Sequence, residues 1–169
     1  MTDGLFELIV GAIWFILPAY VANAAPVILG GGTPLDWGRK FTDRRRIFGP
    51  GKTIRGFAAG LIAGTILGVL QGTATGQFST YFIHGFLLAL GALTGDLLGS
   101  FVKRRLNIAR GDTAPVLDQL GFVVFALLLT SPLVAPGWDV ILAILIITLP
   151  IHLATNFVGY RLGLKSRPY

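Results

Sequence analysis

All fourteen Lys and Arg residues fall in three segments, 39–55, 103–110 and 161–167, and the stretches between them are almost free of charge. Such uncharged stretches suit a bilayer, where a spanning helix needs about 20 mainly apolar residues and no backbone polar group can stay unpaired. From Leu8 to Leu35 there is no Asp, Glu, Lys or Arg, which gives one pass followed by a Gly30-Gly31-Gly32-Thr33-Pro34 exit. Gly56 to Gly95 is an uncharged run of 40 residues, enough for two passes turned at Gly72-Thr73-Ala74-Thr75-Gly76-Gln77. Runs of 20 and 21 residues, between Asp118 and Asp139 and between Asp139 and Arg161, read as passes four and five. The expected fold is all-α, a polytopic integral membrane protein of five transmembrane helices forming a single membrane domain over residues 1–169. A strand barrel is disfavoured because the runs lack apolar and polar alternation.

Short loops rich in Lys and Arg mark the cytoplasmic side. The loops at the other ends of the spans, near residues 72–78 and 135–139, carry neither. The N-terminus is therefore expected outside, and the tail with Arg161, Lys165 and Arg167 in the cytoplasm, in a multi-pass protein of the cell membrane. Ala22-Asn23-Ala24 looks like a signal-peptidase site, but Asp3 and Glu7 precede it in place of basic residues, so a retained helix is the expected reading. Mass spectrometry of the mature N-terminus checks it.

Charged residues make up 13% of the chain, about half the usual share of a soluble domain. The net charge of +6 does not point to nucleic acid, since the basic residues sit beside helix ends and no recognition module is visible. Anionic lipid headgroups or nucleotide phosphates are the better partners. With no Cys, there is no disulfide, thiolate metal site or Cys nucleophile. No oligomeric state is assigned.

In the second span Gly56, Gly60, Gly64, Gly68 and Gly72 recur every four residues on one helix face. Such a rail lets a neighbouring backbone come close, and packing is preferred over a direct lipid-binding role. Gly91, Gly95 and Gly99 of the third span read as a matching series.

Asp96 lies within the third span, about two turns before Lys103-Arg104-Arg105. An intramembrane carboxylate is costly and belongs beside a polar cavity with a partner. Asp112 and Asp118 follow in the next loop and helix start, where Thr113 or Ala114 caps a helix whose first turn holds Pro115. Three carboxylates converging near a basic surface suit a hard cation such as Mg2+. For Asp96 the metal reading is preferred to a buried ion pair. Asp112 alone would be a solvated loop residue, and it is the clustering that speaks for function.

Gly49-Pro50-Gly51-Lys52-Thr53-Ile54-Arg55-Gly56 is not a Walker A loop, because Arg46 stands where a Gly is needed and no strand precedes it. A glycine turn, a Lys and a helix N-terminus still form an anion seat, and an ordinary juxtamembrane loop is the equal alternative. Arg44-Arg45-Arg46 read as a topology determinant. Asn23, three residues before Pro26, either binds a phosphate or bonds to carbonyls freed by the proline. His84 reads as a structural hydrogen-bonding residue, while His152 and Asn156 are assigned to interhelical bonding in preference to a cavity wall. Trp37 and Trp138 fall where interfacial aromatics are expected.

The run Asp96-Leu97-Leu98-Gly99-Ser100-Phe101-Val102-Lys103-Arg104-Arg105, then Gly111-Asp112, Pro115 and Asp118-Gln119-Leu120, resembles the archaeal CDP-archaeol synthase family. Asn23-Ala24-Ala25-Pro26 and Gly51-Lys52-Thr53-Ile54-Arg55-Gly56 also match that family's pattern, so the resemblance covers nearly the whole chain. The family is related to the CTP-dependent phosphatidate cytidylyltransferases. The chain departs from their wider signature: it lacks Gly-His-Gly-Gly after Pro115 and has Gln119 in place of Arg after Asp118, which argues against a bacterial-type phosphatidate enzyme. Gly121 stands where an acidic residue is expected in many archaeal relatives, so position 121 supplies no ligand.

The resemblance implies CMP transfer from CTP to 2,3-bis-O-geranylgeranylglycerol 1-phosphate, with release of pyrophosphate and Mg2+ as cofactor. It also implies Asp96, Asp112 and Asp118 around the metal, and Lys52, Thr53, Arg55, Lys103 and Arg104 around the phosphates, with Asn23 in support. Asp96, Asp112, Asp118 and Lys52 are then the residues that carry catalysis. A transporter or flippase for an anionic lipid is the main rival, though it would more often show internal repeats. A CDP-alcohol phosphotransferase lacks its Asp-Gly and Ala-Arg motif here, and Ser100 lacks the following Gly of an intramembrane serine protease.

Overall fold

The computed structural model describes residues 2–108, 112 and 114–165, and these form five helices. They are α1 (Thr2–Leu29), α2 (Ile54–Thr75), α3 (Phe78–Arg105), α4 (Pro115–Thr130) and α5 (Trp138–Arg161). Four of them, α1, α2, α3 and α5, are long and apolar enough to cross a membrane. The fourth is a shorter apolar helix of 16 residues, about 24 Å long.

That helix starts where its expected cap and Pro115 put it, but it ends well short of Asp139, the far end of the uncharged run. It begins at Pro115, whose missing N–H costs nothing in a first turn, and stops at Thr130. Beyond it, Pro132 and Pro136-Gly137 have no capacity to continue a helical ladder, and Leu133 and Val134 turn back onto the Thr130 carbonyl at 3.0 and 3.1 Å. Ala114 occupies the cap position without a side-chain hydrogen bond, and Thr113 and Gly111 lie outside the described residues. The α2–α3 turn is tighter than the six-residue loop expected, because α2 continues to Thr75 and Gly76 closes it at φ 72°.

The third helix is the centre of the bundle and packs against α1, α2 and α4, while α5 packs against α1 and α4. The core draws Ala12, Ile16 and Ala19 from α1, Leu88 and Ala92 from α3, and Phe122, Val123 and Ala126 from α4. Lipid tails are as apolar as these side chains, so close van der Waals contact holds the helices together. The glycine rail supplies that contact. A Cβ at Gly60 would stand 2.5 Å from the Ala22 carbonyl oxygen, and one at Gly68 would stand 2.7 Å from the Gly85 Cα. Gly91 and Gly95 do not complete this seam. Their missing Cβ atoms would meet α4 instead, 2.7 Å from the Ala126 Cα and 2.8 Å from the Gly121 carbonyl oxygen, so α3 uses separate small-residue faces for its two neighbours. Gly99 is looser, with Leu117 at 3.5 Å.

At Gly64 a Cβ would lie 2.6 Å from Ala89 Cβ and 2.7 Å from the Pro18 carbonyl oxygen. Gly64→Leu is expected to destabilise the protein by at least about 2 kcal/mol, since overpacking against backbone has no rotamer escape. Thermal unfolding of the detergent-purified variant checks this, and an unchanged Tm would dismiss the rail.

Two prolines lie inside α1, at Pro18 and Pro26. Each deprives the carbonyl four residues earlier of its helical donor, a loss that must be made good within a bilayer. The Trp14 carbonyl takes a hydrogen bond from the buried Gln71 side-chain amide at 2.7 Å. The Ala22 carbonyl receives the close approach of Gly60 described above.

Candidate active site

The loop from Gly30 to Thr53 is built around one carboxylate that the sequence reading did not single out. Asp36 is 3% exposed. It accepts from the Arg46 Nε at 3.1 Å and from the backbone amides of Gly38, Phe48 and Gly49 at 3.1, 3.2 and 2.9 Å, and the Arg46 Nη2 closes a second arm of the pair. Burial alone would raise its pKa, but the Arg46 guanidinium and these amides outweigh burial and hold it well below the usual carboxylate range. The arginine triplet therefore does more than set topology. Arg46 anchors Asp36, and Arg45 caps α3 by donating to the carbonyls of Arg104 at 3.3 Å and Arg105 at 2.7 Å. Arg105 returns the tie, pairing with Asp43 at 2.8 Å and donating to the Arg46 carbonyl at 2.7 Å while its guanidinium lies over Phe101 and Phe41.

This lashing holds Gly49-Pro50-Gly51-Lys52 over a cavity of about 630 Å³. The volume falls within the roughly 300–1,000 Å³ of small-molecule sites. All three basic segments reach it, through Lys52, Lys103 and Lys165. Asp96, Asp112 and Asp118 also line it, so the three carboxylates share one cavity as expected. Lys52 pairs with Asp96, and Lys103 pairs with Asp118 at 2.7 Å. The second oxygen of Asp118 accepts from the Ala114 amide at 2.9 Å, which fixes the carboxylate at the start of α4. Among the described residues, however, no three His, Asp or Glu side chains are gathered closely enough to hold a metal ion. The expected three-carboxylate cage is not preformed, because two of its members are each held by a lysine.

Thr53 is the N-cap of α2 and also lines the cavity. Its hydroxyl oxygen accepts from the amides of Gly56 at 3.1 Å and Gly31 at 3.2 Å, leaving its one proton to donate. The other early amides of α2 are mostly occupied, with Ile54 donating to the Thr33 carbonyl and Phe57 to the Thr53 carbonyl, both at 3.0 Å. An anion seat here therefore depends on Lys52 more than on the bare helix end. Arg104 lines the cavity, whereas Arg55 is exposed and lies outside its lining.

Asn23 lines the wall, and no hydrogen bond from its amide to the carbonyls freed by the prolines occurs among the described residues. His152 and Asn156, expected to bridge helices, instead face the cavity and bond to each other at 3.2 Å within α5. Asn156 accepts from Lys165, which places that lysine at the cavity rather than in a free tail; Arg167 lies outside the described residues. Burial pushes the Lys165 ammonium down, Lys52 and Lys103 push the same way, and Asp96 and Asp118 oppose them. His84 is buried at the far end of α3, where it meets the Phe15 ring edge-on at 4.5 Å; its Nε2 has no hydrogen-bond partner among the described residues, so the bonding role expected of it is not carried by that atom.

Fold and cavity together define a polytopic membrane protein that gathers lysines and carboxylates at one end of its helices, the equipment for handling phosphates beside lipid. The CarS-like family, CDP-archaeol synthase, matches residues 5–169, and the chain belongs to that family. It is 48% identical over 162 residues to the CDP-archaeol synthase of Thermococcus gammatolerans, covering 94% of this chain and 95% of that one. The Methanopyrus kandleri CDP-archaeol synthase is 49% identical over 160 residues, covering 93% and 91%. A solved structure described as an intramembrane enzyme for archaeal membrane lipids biosynthesis superposes with a TM-score of 0.81 at 46% identity, covering 88% of this chain and 94% of that one. The resemblance read from the run Asp96 to Arg105 and its companion segments is borne out.

Proposed function

We propose that this protein transfers CMP from CTP to a prenylated glycerol phosphate, 2,3-bis-O-geranylgeranylglycerol 1-phosphate, giving a CDP-lipid and pyrophosphate. The observation that carries this reading is the placement of two Lys–Asp pairs, Lys52 with Asp96 and Lys103 with Asp118, on one cavity of a bilayer-spanning bundle belonging to the CDP-archaeol synthase family. Neither the fold nor the relatives lend support to a lipid transporter.

The acceptor phosphate needs no covalent help from the protein, since its second pKa is about 6 and it is already an anion at neutral pH. One of its oxygens attacks the α-phosphorus of CTP, a new P–O bond forms, and the bond to the β-phosphate breaks with its electron pair leaving on pyrophosphate. The residues must therefore gather three clusters of negative charge and hold them in line. Lys52 and Lys103 are assigned to bind phosphate oxygens, Thr53 to donate its hydroxyl, and Arg104 to add a further cation to the lining. Asp96 and Asp118, paired with these lysines, hold both of them at the cavity wall.

Asp96, Asp112 and Asp118 also fit Mg2+, which is bound through one or two carboxylates plus substrate phosphates and needs no all-protein cage. When bound, it would neutralise phosphate charge and stabilise the leaving pyrophosphate. The cavity is assigned to the cytoplasmic side on the positive-inside asymmetry, with α4 counted as the fourth of five spans and the N-terminus outside. Detergent-purified protein given labelled CTP and the lipid phosphate is expected to form CDP-lipid and pyrophosphate with magnesium, and not with competing nucleotides. Failure of the wild-type chain to make CDP-lipid would overturn the reading.

A further inference from the structure

A second cavity, of about 220 Å³, lies between α1 and α5 and is walled largely by apolar side chains, among them Ala24, Phe122 and Ile151. It shares Asn23, His152, Asn156 and Lys165 with the charged cavity, along with Val27 and Leu164, so the two meet along one mainly polar seam. Three further wall residues, Ile28, Val158 and Leu162, are 67%, 54% and 68% exposed, so its rim lies on the lipid-facing surface of the bundle. An apolar chamber opening toward the bilayer, joined to a basic chamber, is what a phosphorylated lipid requires.

The seam also holds a cation unlike the others. Of the three lysines lining the charged cavity, Lys52 and Lys103 are each paired with a carboxylate, whereas Lys165 is held by the neutral carbonyl oxygen of Asn156. Asn156 is itself 6% exposed and is braced by His152. Lys165 lines the same cavity as Lys52, Lys103, Asp96 and Asp118, so an anion beside it shares that chamber with any phosphate held by the first two lysines.

We propose that Lys165, positioned by Asn156, binds the phosphate of the lipid acceptor, and that the α1–α5 cavity receives the first part of the chains attached to it. This rests on the cytidylyl-transfer reading above and assigns its second substrate a place. The two phosphates then approach from opposite sides of the seam, the nucleotide over Lys52 and the lipid over Lys165. Bond making and breaking are those already given, and Lys165 exchanges no proton and no covalent bond.

The test varies the two substrates separately with purified full-length chain. Lys165→Ala is expected to raise the KM for the lipid phosphate by roughly tenfold or more, as loss of one charged hydrogen bond does. Its affinity for CTP without acceptor, measured by equilibrium dialysis, is expected to stay within about twofold. Lys165→Arg should restore much of the lipid KM. Ile151→Trp, which fills the apolar cavity and leaves the lysine in place, should raise the KM for the long-chain acceptor and spare a short-chain glycerol phosphate ether.

A weakened CTP affinity with an unchanged lipid KM in Lys165→Ala would assign the lysine to the nucleotide and overturn the proposal. So would an Ile151→Trp enzyme that is indifferent to chain length. A wild-type chain that makes no CDP-lipid at all is a different outcome, and it removes the parent reading.

Discussion

Asp96→Asn is expected to lower kcat/KM for CDP-lipid formation by about 10³-fold, the scale seen when one preorganised electrostatic contact is removed from a phosphoryl-type transition state. Asn keeps the shape and one acceptor oxygen but loses the charge. Lys52 then no longer has its counter-charge, and the Mg2+ proposed for this cavity would lose an anionic ligand. Stability should hardly move, because the side chains of Lys52 and Asp96 are 28% and 32% exposed and such pairs contribute about 0–1 kcal/mol. The two readouts together separate chemistry from folding: a large drop in turnover at nearly constant Tm identifies Asp96 as part of the site. Full magnesium-dependent turnover in a folded Asp96→Asn protein would remove the carboxylate from the mechanism and the metal assignment with it. Lys52→Ala should show a comparable loss, expressed in CTP affinity as well as rate.

What the sequence made legible follows from what lipid forbids. Charge gaps located α1, α2, α3 and α5 because an ionised side chain is the residue least able to sit in hydrocarbon. The start of α4 was legible from Ala114 and Pro115, but the uncharged run up to Asp139 overstated its end, since lack of charge says where a helix is permitted, and Pro132 and Pro136 decide where it stops. Glycine spacing disclosed a close-packing face but not its partner. Gly91 and Gly95 share a four-residue period with the α2 rail, yet they lie on a face of α3 turned to α4.

At the site, the motifs indicated which charged side chains share one cavity, but not that Arg55 faces away from it, because chain spacing does not fix which way a side chain in the first turn of α2 points. Lys165 was hidden by its position in a basic tail, where topology alone accounts for a lysine. Its signal was the spacing to Asn156, nine residues earlier and across a helix end that brings the chain back at Gly163, with φ 71°. Gln71 was equally readable in retrospect, as a lone amide in an apolar helix of a chain whose Pro18 must free a carbonyl.

Asp36→Ala is expected to cost about 3–5 kcal/mol, the largest stability effect in the molecule, because it leaves the Arg46 guanidinium and three backbone amides without their buried acceptor. The loop it holds is not relaxed. Trp37 and Arg44 sit at φ 50° and 62°, a left-handed conformation costly for residues with a Cβ, and contacts around them must pay that strain. With Asp36 gone, the strain has no counterweight, and Gly49 to Lys52 lose their register over the cavity, so CTP affinity should fall together with Tm. Linkage adds a sign that can be checked. A carboxylate held below its unfolded pKa of about 3.9 stabilises fully above that pH and loses the contribution as pH falls toward the folded value. The stability gap between wild type and Asp36→Asn should therefore be flat from neutral pH down to about pH 5 and shrink only below about pH 4. A gap absent at neutral pH would show that the loop is fixed by the Arg45 and Arg105 ties alone, and one unchanged by acid would show that the charge of Asp36 is not what holds it.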